Sequence, residues 1–109
     1  MKFNLANKYH SKRSTYNGIS YHSKREAMRA AELDFLVRGR EIKSWRRQVA
    51  VPLEVNGIHI CKIVVDFVIT ERDSSETWEE VKGVWTREGK LKWALFEALY
   101  PTYRKRIIK

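Results

Sequence analysis

The chain has 109 residues, 43% of them hydrophobic and 32% charged, which describes one folded domain with a single core and excludes a disordered or collagen-like segment. Twenty-two Lys and Arg against thirteen Asp and Glu leave a formal charge of +9 and a pI near 9.9. A balance of that size on a small domain points to a polyanionic partner, nucleic acid before an anionic membrane surface. No run of about 18 apolar residues is present to span a membrane, and MKFNLANKYHSKR lacks the apolar core of a secretory signal. The lone Cys61 excludes an intrachain disulfide framework and fits a reducing cytoplasm, and no Cys/His spacing suits a zinc site.

Residues 1–14 are basic and without periodicity (Lys2, Lys8, Lys12, Arg13), and are expected to form a flexible arm, solvated or touching phosphate, ahead of a single domain at 15–109. Asn17-Gly18 between short alternating runs signals a hairpin. Ser23-Lys24-Arg25-Glu26 matches a capping box and opens a helix to Val37, with Ala27, Ala30, Ala31, Leu33, Leu36 and Val37 as its apolar stripe and Gly39 as a left-handed stop. Glu26, Ala30, Leu33 and Val37 recur at helical spacing, so Glu26 heads the buried stripe. Glu32 shares a neighbouring stripe with Met28 and Phe35.

From Ile42 the period becomes two. Residues 42–55 read as a strand, with Pro52 marking a sheet edge or bend. Asn56-Gly57 is a second hairpin turn, and Ile58 to Thr70 a long, increasingly apolar central strand. After the turn Arg72-Asp73-Ser74-Ser75, residues 76–82 form a strand with Trp78, Glu80 and Lys82 on one face. A second helix over residues 90–100 has Leu91, Ala94, Leu95, Ala98 and Leu99 as its stripe, and residues 104–109 close the chain as a strand. The expected class is α/β (α+β): α-β-β-β-α-β around a mixed central sheet, with an N-terminal hairpin.

Asp66 carries the first chemical signal. It interrupts Ile63-Val64-Val65 and Phe67-Val68-Ile69, where an unpaired charge is costly, so such a carboxylate is paired, metal-bound or catalytic. Fourteen residues on, a return strand presents Glu80 and Lys82 on one face with Val81 on the other. Two carboxylates on adjacent strands suit a hard divalent ion, and a lysine one step away can position or polarise a water attacking a phosphodiester. The competing reading makes Glu80 and Lys82 a surface pair and Asp66 a turn cap.

The element order with Asp66 and Glu80-Val81-Lys82 resembles the PD-(D/E)XK nuclease superfamily. YNGISYHSKREA, LDFLVRGREIKSWRRQ, VVDFVIT, EEVKGVWT and LKWALFEALYP together resemble a family of small phage-encoded endonucleases within it, over nearly the whole chain from about Lys8. The resemblance implies an Mg²⁺- or Mn²⁺-dependent DNA endonuclease in which Asp66 and Glu80 bind metal and Lys82 assists the water. A further metal contact from the first helix carries over best to Glu26, with Glu32 on the adjacent stripe. Val65 stands where the superfamily's eponymous proline would be. By analogy with small Holliday-junction-resolving enzymes, it also implies a homodimer cutting branched DNA in phage recombination or processing. A non-catalytic DNA-binding module on the same fold is the alternative.

Candidate DNA contacts are Arg25, Arg46, Arg47, Lys90 and Lys92, joined by Arg29, Arg104, Lys105 and Arg106. Trp85 either wedges against DNA or covers the core between the third strand and the second helix.

Overall fold

A computed structural model describes residues 13–109, so the expected arm lies outside the described residues except for Arg13 and Ser14. The chain groups into two compact units, Met1–Arg40 and Glu41–Lys109. Together they form an α+β fold containing a two-stranded hairpin sheet and a mixed four-stranded sheet.

In the first unit, β1 (Ser14–Tyr16) pairs antiparallel with β2 (Ile19–Tyr21). Asn17 and Gly18 take φ 52° and 78° between them, the left-handed pair a tight hairpin needs. Arg13 Nε donates to Ser20 Oγ at 2.9 Å, so the end of the expected arm is tied to this hairpin. Helix α1 (Lys24–Arg38) starts where Ser23 Oγ accepts the Glu26 N–H at 3.1 Å. It buries Glu26, Ala27, Ala30 and Leu33. Its end differs from the expected glycine stop: Gly39 stays right-handed at φ −79°, and Arg40 takes the left-handed turn at φ 60°.

The second unit carries β3 (Ile42–Val55), β4 (Ile58–Glu71), β5 (Glu76–Val81), α2 (Arg87–Leu99) and β6 (Arg104–Ile108). The sheet order is β3-β4-β5-β6, antiparallel except for the parallel β5–β6 pair. Pro52 therefore lies on an edge strand, where a missing N–H costs no inner ladder bond. Asn56 and Gly57 turn the β3–β4 hairpin at φ 52° and 79°.

Helix α2 packs through Trp93 and Phe96 onto Val51, Leu53, Ile63, Val65, Val68 and Trp78, with Leu95 and Leu99 alongside. Phe96 sets its ring edge-on to Trp78 and Trp93, with centroids 5.8 and 5.4 Å away. The expected stripe is thus displaced: Leu91 is 63% exposed and Ala94 and Ala98 are exposed, because the two aromatics offer more area to bury on the neighbouring face. The helix also begins three residues earlier than expected, at a Thr86 cap whose Oγ1 accepts the Gly89 N–H at 2.9 Å.

Val65 and Val68 both belong to this cluster although three residues apart on β4. An unbroken strand would send them to opposite faces, so the alternation slips by one between them, at Asp66. Among the described residues no helix is long and apolar enough to cross a membrane.

Candidate active site

Strands β4 and β5 pair from Thr70↔Glu76 to Phe67↔Glu79, and the same register would next pair Asp66 with Glu80. The backbone ladder stops there, and side chains replace it. Glu80 Oε1 accepts the Asp66 N–H at 3.1 Å, while Asp66 Oδ2 accepts the Val81 N–H at 2.8 Å. Each carboxylate satisfies an amide that the departing strand leaves open. This crossed pair joins two acids fourteen residues apart on parting strand ends, and its remaining lone pairs are available to a ligand. Lys82 completes the group, with Nζ 3.6 Å from Glu80 Oε2 and 5.7 Å from the Trp85 ring centroid.

Electrostatically the pair is under tension. Burial, then the charge of Asp66, pushes the Glu80 carboxyl up to about 8, with Lys82 opposing. Burial also raises Asp66, against the Val81 N–H and the Lys82 charge, which favour its ionised form. A divalent cation would relieve both effects. The donors are hard oxygens of the kind Mg²⁺ and Mn²⁺ take. Among the described residues no three His, Cys, Asp or Glu side chains converge on one point. Two protein carboxylates would leave most of an octahedral shell to water and substrate oxygens, as Mg²⁺ sites commonly do.

The third expected acid, Glu26, belongs to the other compact unit. It is 7% exposed on α1, with His22 Nδ1 3.9 Å from its Oε1. Glu32 is exposed and paired with Arg25 and Arg29 at 3.5 and 3.4 Å.

The expected DNA contacts divide by their partners. Arg46 donates to Glu76 at 2.8 Å, and Lys92 meets Glu88 at 3.0 Å on α2. Arg47 is half-buried on β3. Trp85 is half-buried, its ring 6.2 Å from that of Trp93, and lines an open groove with Lys90, Trp93, Ala94, Glu97 and Ile107. Arg106 is engaged inward, donating to Glu79 at 2.6 Å.

Two members of the neighbourhood escape the sequence reading. Gln48, on the edge strand, donates from Nε2 to Asp66 Oδ1 at 3.3 Å. Glu79 is wholly buried on the face of β5 opposite Glu80. Gln48 leaves no sequence signal beyond a polar residue in a strand, whereas Glu79 lies beside Glu80 in an acidic doublet that alternation alone assigns to two faces. Comparison with curated proteins and with solved structures returns no match. The family profile described as "Protein of unknown function (DUF1064)" matches residues 6–109, and the chain belongs to that family.

Proposed function

We propose that this chain is an Mg²⁺- or Mn²⁺-dependent endodeoxyribonuclease on a PD-(D/E)XK-type core, acting as a homodimer on branched DNA in phage recombination or processing. The crossed Asp66–Glu80 pair with Lys82 beside it carries this reading. A structural ion pair would match each buried carboxylate with a cation. Here two acids share one lysine, a composition that favours uptake of a divalent ion.

When bound, that ion would neutralise the non-bridging oxygens of a phosphodiester and acidify a water. Asp66 and Glu80 would hold it from two strands, with both carboxylates already fixed by their bonds to the Val81 and Asp66 amides. Lys82, one strand step from Glu80, orients the attacking water and steadies its developing charge. The net charge of +9 supplies the attraction for the duplex.

The test is a cleavage panel of four-way junction, fork, flap and linear duplex, each with Mg²⁺, Mn²⁺ or Ca²⁺. Cutting of a branched substrate with Mg²⁺ or Mn²⁺ is the expected result. Protein that leaves all four intact under every metal condition is not a nuclease, and salt-sensitive binding without cutting would identify the non-catalytic module.

A further inference from the structure

We infer that Gln48 is a positioning residue of this site, holding the Asp66 carboxylate in its metal-binding orientation; the inference rests on the nuclease reading above. Gln48 sits in the interior of β3 at φ 52°. Left-handed backbone is rare for a residue with a side chain and rarer inside a strand, and it is strained there. Asn17, Asn56 and Ser74, which share this sign, all lie at turns, and Arg40 follows a helix.

The pairing around Gln48 shows what the conformation does. Arg47↔Phe67 and Val49↔Val65 flank it in one unshifted register, which sets Gln48 opposite Asp66 without a bridge between them. No residue is inserted, so this is not a bulge accommodating extra chain. The backbone turns locally, and the amide reaches Asp66 Oδ1 at 3.3 Å. Its partner oxygen, Oδ2, is held from the opposite strand by the Val81 N–H. Asp66 is therefore gripped from β3 through one oxygen and from β5 through the other, which fixes its rotation about the Cβ–Cγ bond. An uncharged donor does this without neutralising the carboxylate, so the charge a cation needs is preserved.

Two substitutions separate this role from a merely structural one. Glycine adopts positive φ freely, so Gln48→Gly relieves the backbone while deleting the amide. Gln48→Ala deletes the amide and keeps the strain. Under the proposed role both variants bind Mn²⁺ about 10- to 100-fold more weakly, with cleavage falling in parallel. Their thermal midpoints diverge, Gln48→Gly matching or exceeding wild type and Gln48→Ala falling below it. The inference is overturned if Gln48→Gly keeps wild-type Mn²⁺ affinity and cleavage, which would make the strain a backbone matter alone. It is equally overturned if Gln48→Gly is no more stable than Gln48→Ala, since both lack the amide and only glycine relieves a strained backbone. Wild-type protein that neither binds Mn²⁺ nor cuts DNA removes the nuclease reading and this inference with it. Wild-type cleavage with an unaffected Gln48→Gly removes this inference alone.

Discussion

Glu79 and Glu80 are neighbours on β5, 0% and 6% exposed, and their surroundings differ in kind. Glu79 faces the Arg106 guanidinium at 2.6 Å, an anion against a cation. Glu80 turns to the other face and meets a second carboxylate, with Lys82 at 3.6 Å as the shared cation. Burial is common to both, so burial does not mark the site. The excess of carboxylates does: two acids set against one lysine are the arrangement that favours uptake of a further cation.

The largest expected effect tests that distinction through chemistry. Asp66→Asn and Glu80→Gln preserve shape and each retain a carbonyl acceptor, yet remove an ionisable carboxylate from the proposed metal-binding pair. Metal coordination is worth several kcal/mol of transition-state stabilisation, so cleavage should fall by about 10³-fold or more in either variant. Glu79→Gln removes an equally buried charge from the balanced pair and should leave cleavage per folded molecule near wild type. A Glu79→Gln variant as inactive as Glu80→Gln would erase the contrast.

The pH dependence of stability is the next effect in size. Glu80 is raised from an ordinary 4.5 to about 8, so the folded protein binds this proton more tightly than the unfolded chain. Its contribution favours folding below about pH 4.5 and is lost as pH climbs through about 8. Without divalent metal, unfolding free energy should therefore decline by a few kcal/mol across that window, measured by urea titration at stepped pH. Glu80→Gln should flatten the decline. If the pair takes up a divalent ion as proposed, Mg²⁺ at pH 8 should restore the wild-type stability, as any ligand of the folded form alone does.

Arg106→Ala attacks the balanced side. It leaves the Glu79 carboxylate buried without its guanidinium, and with Arg106 itself half-exposed the cost should be about 2 kcal/mol. Urea unfolding reads it directly, and activity per folded molecule should not change. Loss of DNA affinity with unaltered stability would instead make Arg106 the phosphate contact that its position in a basic run suggests.

How far these features can be read from sequence follows the range of the interactions that make them. The Asn-Gly turns at 17–18 and 56–57 and the Ser23 cap are decided within four residues, and structure and sequence agree there. The Thr86 cap leaves no capping-box signal, because Gly89 stands at its N3 position, where Glu or Gln would mark one. The α2 stripe is ambiguous in sequence because a Leu/Ala pattern competes with Trp93 and Phe96 for the core, and only the three-dimensional partners decide. Alternation brings Glu80 and Lys82 to one face of β5, but the crossed bonds with Asp66 depend on where the ladder ends. Nothing local predicts a left-handed glutamine in a strand, so Gln48 was invisible until Asp66 stood opposite it.

The smallest effect concerns a third acid on the same strand. Glu76, at the exposed start of β5, receives Arg46 at 2.8 Å, a shorter contact than Lys82 makes with Glu80. Distance alone would rank it the stronger pair. Both partners are solvated, however, so the charges are screened and holding two long side chains costs entropy. Arg46→Ala should change unfolding free energy by less than about 0.5 kcal/mol. If Arg46 exchanges Glu76 for a DNA phosphate, the same substitution should lower the salt slope of DNA binding by about one. Glu76→Gln, which releases Arg46 from its resting partner, should strengthen binding at low salt and leave cleavage chemistry alone. Opposite shifts in DNA affinity from the two variants would assign Arg46 to the duplex. Equal shifts would confine the pair to the protein surface, where a short ion pair contributes to neither stability nor recognition.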